Sequence, residues 1–187
     1  MSELVFFLEE PSAQAMLEGL LPRLLPEITK VRYVVFEGKQ DLEKQILRRL
    51  RGYRSPGSKF VILRDQDSAD CQRVKAGLTQ KCREAGRPDT LVRIACHELE
   101  SWYLGDLAAV ETALQIRGLS ASQNGAKYRC PDGVARAAEE LSKLTKGVYQ
   151  KILGSRAIGP LLDLENTRSH SFKVFITGLQ TLVLPRN

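Results

Sequence analysis

Four short apolar runs recur along the chain at intervals close to thirty residues, and this spacing constrains the fold more than any other feature. They are Leu4–Leu8 (LVFFL), residues 31–36 (VRYVVF), residues 60–63 (FVIL) and Leu91–Ala95 (LVRIA), whose starts are separated by 27, 29 and 31 residues. Each is nearly continuous in apolar character and rich in β-branched or aromatic side chains, the pattern of strands buried on both faces. Between them, residues 11–25, 41–51 and 68–85 carry apolar side chains at helical spacing. Turn signals at Pro26, Ser55-Pro56-Gly57 and Gly86-Arg87-Pro88 separate the units. A strand–helix unit at this interval predicts an α/β fold, with a mostly parallel four-stranded sheet flanked by helices. Right-handed crossovers follow almost by rule. The period is supersecondary, since no sequence repeat accompanies it.

After Ala95 the pattern turns helical. One helix is expected over 97–114, a polar loop over 118–131, and further helical stretches over 132–144, 148–153, 156–164 and 171–184, the last of these the weakest in pattern. The expected organisation is an α/β domain over 1–114 and a basic, mainly helical extension over 115–187 packed on it. Charge follows this division. Residues 1–114 hold 17 basic and 17 acidic side chains, whereas residues 115–187 hold 11 and 5, so the net +6 lies entirely in the second part. Such a bias fits contact with a polyanion such as nucleic acid, although a solubilising surface has the same composition.

Several classes are disfavoured. No apolar stretch approaches the roughly 20 residues of a membrane span, and the acidic start MSELVFFLEE is unlike a signal peptide. A cytoplasmic protein without membrane contact is expected. Cys71, Cys82, Cys96 and Cys130 show no CxxC spacing and read as reduced thiols rather than a zinc site with His97. There is no Gly-rich phosphate loop, no GxSxG and no HExxH, which argues against a nucleotide-driven motor, a serine hydrolase and a zinc peptidase.

The strand ends carry the chemistry. The first run ends in Glu9-Glu10 and the second in Glu37-Gly38, with Asp41 nearby. The third ends in Asp65-Gln66-Asp67, then Asp70, and the fourth is followed by Glu98 and Glu100. In an open parallel sheet these ends share one edge, where ligands bind. Two like charges 4 Å apart repel by roughly 4 kcal/mol at an effective dielectric of 20. A hard divalent cation would neutralise such a cluster; raised pKa values or partners such as Arg64 and Arg93 are the alternatives. Asp65 and Asp67 share a side if the chain stays extended, while capping of the next helix by Asp67 or Ser68 competes with ligation.

These residues resemble a Toprim domain, the metal-binding fold of topoisomerases, primases and several nucleases. In that family a Glu follows the first strand and a DxD the third, matched here by Glu9 in FFLEEPSA and by Asp65 and Asp67 in VILRDQDSADC. The likeness covers roughly residues 3–105. RDQDSADC, RIACHELESWYLGD and RSHSF further resemble a family of small bacterial Toprim-like proteins related to nuclease subunits of phage-defence systems, whose usual companion is an ABC-type ATPase. VFEGKQD around Glu37 imitates the motif, but only one helix separates it from the DxD, whereas Glu9 leaves the required strand and helix between. Pro11-Ser12-Ala13 offers no second acid, which puts two-metal chemistry in doubt.

The resemblance implies a Mg²⁺- or Mn²⁺-dependent nuclease acting on nucleic-acid phosphodiesters, with a nucleic-acid partner, an ABC-type ATPase partner, and homodimerisation left open. A non-cleaving Toprim-like binding module is the second reading. Asp65 and Asp67 are the expected metal ligands, Glu9 a ligand or general base, and Glu100 a further ligand preferred over Glu98. Glu10, Glu37 and Asp70 form a second line. Phosphate contacts are expected from Arg48 and Arg49, and from Lys151, Arg156, Arg168, His170 and Lys173, with the serines of RSHSF read equally as phosphate donors or caps. His97 and Trp102 read as structural.

Overall fold

The computed structural model describes residues 3–166 and 168–183. Its centre is a four-stranded, all-parallel sheet of β1 (Leu4–Leu8), β2 (Val31–Val35), β3 (Lys59–Asp65) and β4 (Leu91–Ala95), in the order β2-β1-β3-β4. Strand β1 is central and no residue in it is more than 1 % exposed. That explains its unbroken apolar sequence, since both faces are covered.

The two faces are sorted by the pleat. Leu4, Phe6 and Leu8 join one core with Val61 and Leu63, whereas Val5 and Phe7 join a second with Phe60 and Ile62. Against the second face pack α2 (Lys39–Gly52) and α3 (Cys71–Glu84), through Leu42, Ile46, Leu50, Leu78 and Cys82. Against the first pack α1 (Pro11–Leu24), α4 (Glu100–Leu104), α5 (Leu107–Leu114), α6 (Ala137–Leu144), α7 (Lys151–Ile158) and α8 (His170–Val183). The connection from β1 therefore runs over one face, and those leaving β2 and β3 over the other. The direction of winding reverses between β1 and β3, which makes the crevice at their carboxyl ends the switch point of the sheet.

Several boundaries differ from the sequence reading for identifiable reasons. The helix expected over 97–114 is two, because Gly105 interrupts it and the Asp106 carboxylate caps α5, accepting from Ala109 N at 3.1 Å. Helix α3 starts at Cys71 rather than Ser68, because Asp70 is its cap and accepts from Arg73 N at 2.8 Å. Neither Asp67 nor Ser68 has that role. The stretches expected over 148–153 and 156–164 are one helix, α7, followed by a 3₁₀ turn at Gly159–Leu161. The helix expected from 132 begins at Ala137, after a 3₁₀ turn at Pro131–Gly133. The helix expected over 171–184 is α8, and residue 184 lies outside the described residues.

Helices α1 and α7 approach closely where α7 ends. A Cβ added to Gly159 would stand 2.3 Å from Met16 O and 2.9 Å from Met16 C and Cα, all backbone atoms that cannot rotate aside. Gly159→Ala is expected to push the two helices apart at a cost of about 1–3 kcal/mol. In thermal unfolding this corresponds to a melting temperature lower by roughly 3–10 °C.

Candidate functional site

Register brings the acidic strand ends together. Leu8 pairs with Leu63, and Asp65 with Ala95, so Glu9 lies beside the end of β3. Its Oε2 accepts from Asp65 N at 3.2 Å, and its backbone O accepts from Gly38 N at 3.1 Å. Glu9 thus ties the ends of β1, β2 and β3 to one another. Alternation along β3 then separates two neighbours. Arg64 follows Phe60 and Ile62 toward the α2 side, while Asp65 follows Val61 and Leu63 toward the side of α1 and α7.

On the α2 side stand Arg64, Glu9, Asp67 and Lys39. Arg64 is buried, with Nε 3.8 Å from Glu9 Oε2 and Nη1 3.0 Å from Glu43 Oε1; both contacts are ion pairs without hydrogen-bond alignment. Lys39, in the first turn of α2, donates to Asp67 Oδ2 at 2.8 Å, and this contact raises the pKa of the lysine. Burial raises the pKa of Glu9, and the charges of Asp67 and Glu10 add to it, against the Asp65 N–H and Arg64.

On the other side stand Asp65, Glu10, Glu100 and Lys151. Burial, followed by the charges of Glu10, Glu100 and Glu9, holds the Asp65 carboxyl well above the usual carboxylate range, with Lys151 opposing. Lys151, at the start of α7, donates to Glu10 Oε2 at 2.8 Å and to Oε1 at 3.1 Å. Glu100 is fully buried. Its Oε1 accepts from Tyr149 OH at 2.8 Å, and its Oε2 has no hydrogen-bond partner. Burial raises the pKa of Glu100 as well.

The expected Asp65-x-Asp67 geometry is altered by the backbone. Asp67 has φ +56°, so the chain leaves the extended conformation and the two side chains do not simply alternate. Asp67 N donates to the carbonyl of His97, itself at φ +56°, at 2.7 Å, and the His97 ring Nδ1 lies 3.0 Å from Asp67 O. His97 therefore shapes the turn. Among the described residues, no three Asp, Glu, His or Cys side chains stand close enough to coordinate one ion, with Asp67 drawn to Lys39 and Glu10 to Lys151. The four cysteines are free thiols.

Other acids lie in different surroundings. Glu98 Oε2 accepts from Ala138 N at 2.7 Å and so holds the start of α6. Glu37 is exposed, and its backbone N–H donates to Asp41 Oδ2 at 3.2 Å. Asp70 caps α3. Of the second line, only Glu10 joins the cluster.

The basic residues divide too. Lys151 is within the site and Arg156 is exposed further along α7. Arg168, His170 and Lys173 are exposed around the start of α8, close to the end of β4, where Ser171 Oγ accepts from Cys96 N at 3.3 Å. Of the serines of RSHSF, Ser169 caps α8, while the Ser171 hydroxyl is engaged by Cys96 N and Trp102 Nε1. Ser169 Oγ accepts from Phe172 N at 3.1 Å and donates to Asp132 Oδ1 at 2.6 Å, while Ser171 N donates to Asp132 Oδ2 at 2.8 Å. Trp102 is core: its Nε1 donates to Ser171 Oγ at 2.8 Å and its ring packs on Phe172 and Phe175. Arg48 and Arg49 lie nine and ten residues after Lys39 on α2, roughly 14 Å along the helix axis from the acidic edge.

Lys39 and Tyr149 were not among the residues singled out from the sequence. A lysine opening a helix straight after a strand end, at Gly38-Lys39, is a readable signal for the first. Nothing local marks Tyr149, which meets Glu100 across a sequence separation of 49.

The model of a family described as a domain of unknown function, DUF4276, matches residues 8–180. The chain belongs to the DUF4276 family. No curated protein matches this DUF4276 chain. Among solved structures it is similar to the C-terminal region of the Burkholderia pseudomallei OLD protein, at 14 % identity and a TM-score of 0.55, covering 98 % of this chain and 100 % of the other. At that identity the likeness concerns the fold: a mixed α/β architecture with a four-stranded parallel sheet flanked by helices. The α/β fold expected from the sequence, a parallel four-stranded sheet flanked by helices, is the one found. None of its described helices is long and apolar enough to cross a membrane.

The raised pKa values of Asp65, Glu9 and Glu100 have a definite sign. The folded chain keeps protons that the unfolded chain releases near pH 4, so ionisation of the cluster opposes folding. That penalty is absent below the unfolded pKa and complete above the folded ones. Asp65→Asn is expected to raise the melting temperature at pH 8 in chelator by roughly 2–6 °C, and to change it little at pH 4. Calorimetry at the two pH values checks both the direction and the window.

Proposed function

We propose that this protein is a divalent-metal-dependent nuclease acting on phosphodiesters of nucleic acid, with Mg²⁺ or Mn²⁺ as the ion. One observation carries the reading: Asp65, at the switch point of the sheet, feels the charges of both Glu9 and Glu100, and a buried oxygen of Glu100 has no hydrogen-bond partner. The donor set is all oxygen and strongly anionic, which suits a hard cation. In this reading Asp65, Asp67 and Glu100 would hold the ion, Asp67 after giving up Lys39, with Glu9 as general base, and Glu98, tied to α6, contributes only by holding the segment before α4.

A divalent ion held there would supply Lewis acidity toward a phosphoryl oxygen and would make an attacking water more acidic. The chain's own groups then have distinct tasks. Glu9, with its pKa raised by burial, would accept a proton from the attacking water. Lys151, released from Glu10, places its ammonium against a phosphate oxygen. Arg156, Arg168, His170 and Lys173 lie on α7 and around the start of α8 and meet the flanking phosphates. This assigns substrate contact mainly to the basic residues 115–187 and catalysis to residues 1–114. The distant Arg48 and Arg49 would meet only a longer substrate.

The resemblance to nuclease subunits of defence systems supports an ABC-type ATPase as companion, within the cytoplasm, and a homodimer is compatible with it. A specific observation favours the second reading, binding without cleavage. Lysines neutralise Asp67 and Glu10, and no acid stands in the first turn of α1.

Supercoiled DNA, single-stranded DNA and RNA incubated with Mg²⁺ or Mn²⁺ separate the two readings. Nicking or degradation by the wild type is expected, with a rate lower by more than about 100-fold in the Asp65→Ala, Asp67→Ala double variant. Equal cleavage by both would remove these residues from the site. Binding without cleavage by either, with the ATPase partner also supplied, would favour the module.

A further inference from the structure

We propose that Tyr149 is a positioning residue for the acidic site: its hydroxyl holds Glu100 Oε1, so that Oε2 alone is presented to a divalent cation. The inference rests on the metal-site reading above. A carboxylate can ligate through either oxygen or both, and the protein chooses by engaging one of them elsewhere. Here the choice is visible. Tyr149 OH donates to Oε1 at 2.8 Å, while Oε2 is buried and unpartnered, an arrangement rare enough in folded proteins to require an explanation.

The tyrosine is itself held firmly. Its hydroxyl lies 3.4 Å from Ser155 Oγ, which accepts from Tyr103 OH at 2.8 Å, and the two tyrosine rings meet edge to face with centroids 6.1 Å apart. Its backbone N–H donates to Thr145 Oγ1 at 3.1 Å, directly after the left-handed Lys146-Gly147 turn that separates α6 from α7. Gly154 gives the ring its place, since a Cβ there would stand 2.4 Å and 2.5 Å from Tyr149 Cδ2 and Cε2. The same short segment ends in Lys151 on Glu10. The start of α7 therefore sets two groups of the acidic site at once, the orientation of Glu100 and the counter-charge of Glu10.

The test is Mn²⁺ binding to the full chain, read by loss of the free-ion electron paramagnetic resonance signal and by calorimetry. It compares wild type, Tyr149→Phe, Tyr103→Phe and the Asp65→Ala, Asp67→Ala double variant. Tyr149→Phe is expected to weaken Mn²⁺ binding by about 10–100-fold. Tyr103→Phe, which alters the same buried cluster but leaves the hydroxyl on Glu100, should change binding less than about threefold, well short of that range. If Tyr149→Phe weakens binding no more than Tyr103→Phe does, the positioning role is overturned while the metal site stands. If wild type binds no Mn²⁺ that the double variant loses, both fall together. Should Tyr149→Phe not fold, Ser155→Ala serves in its place: a several-fold loss supports the role and unchanged affinity overturns it.

Discussion

The placement of β1 between β2 and β3, with both faces covered, is the constraint on which the rest of the structure depends. A strand with no exposed side chain has one register compatible with its neighbours, since a slip by one residue would exchange Phe6 and Phe7 between the two cores. That register sets Glu9 beside the end of β3, within hydrogen-bond reach of Asp65 N. It also sends Arg64 and Asp65 to opposite faces. The crevice at the switch point and the charges that line it are thus consequences of apolar packing rather than of the charges themselves.

Against that packing stands electrostatic tension. Burial, with the charge of Glu10 added to it, raises the pKa values of Glu9, Asp65 and Glu100. Lys39, Arg64 and Lys151 offset the tension, each supplied by a different element. Arg64 approaches Glu9 without hydrogen-bond alignment, and Glu100 keeps one oxygen unsatisfied. A site built for stability alone would have neutralised these groups or replaced them with apolar ones. Retaining the tension suits a site that takes up a cation and an anionic substrate together.

Much of this was legible in the order of residues. Four apolar runs at intervals near thirty residues gave the four parallel strands, and the acids after them gave the edge on which a site would form. The preference for Glu9 over Glu37 followed from counting elements, and the structure puts Glu9 against Asp65 N while Glu37 is exposed. Other features were hidden because they depend on contacts between distant parts of the chain. Glu98 and Glu100 are two residues apart, yet one holds the start of α6 and the other is buried against Tyr149. The serines of RSHSF looked equally suited to phosphate or to capping; contacts from other elements engage both, Asp132 holding Ser169 as the cap of α8 and Trp102 and Cys96 occupying the Ser171 hydroxyl.

The sequence by itself determined the strands, the helices between them and the chemical character of the edge, because apolar periodicity and turn residues act within a few positions. Only the tertiary structure decided how that edge is arranged. The left-handed turn at Asp67 is held by the His97 carbonyl, and Asp67 is turned toward Lys39 instead of lying alongside Asp65. The start of α7 brings Lys151 and Tyr149 onto acids 141 and 49 positions away. Hydrogen bonds and ion pairs act over about 3 Å in space, whatever the separation along the chain. Local pattern therefore fixes which groups are available, and packing fixes which of them meet.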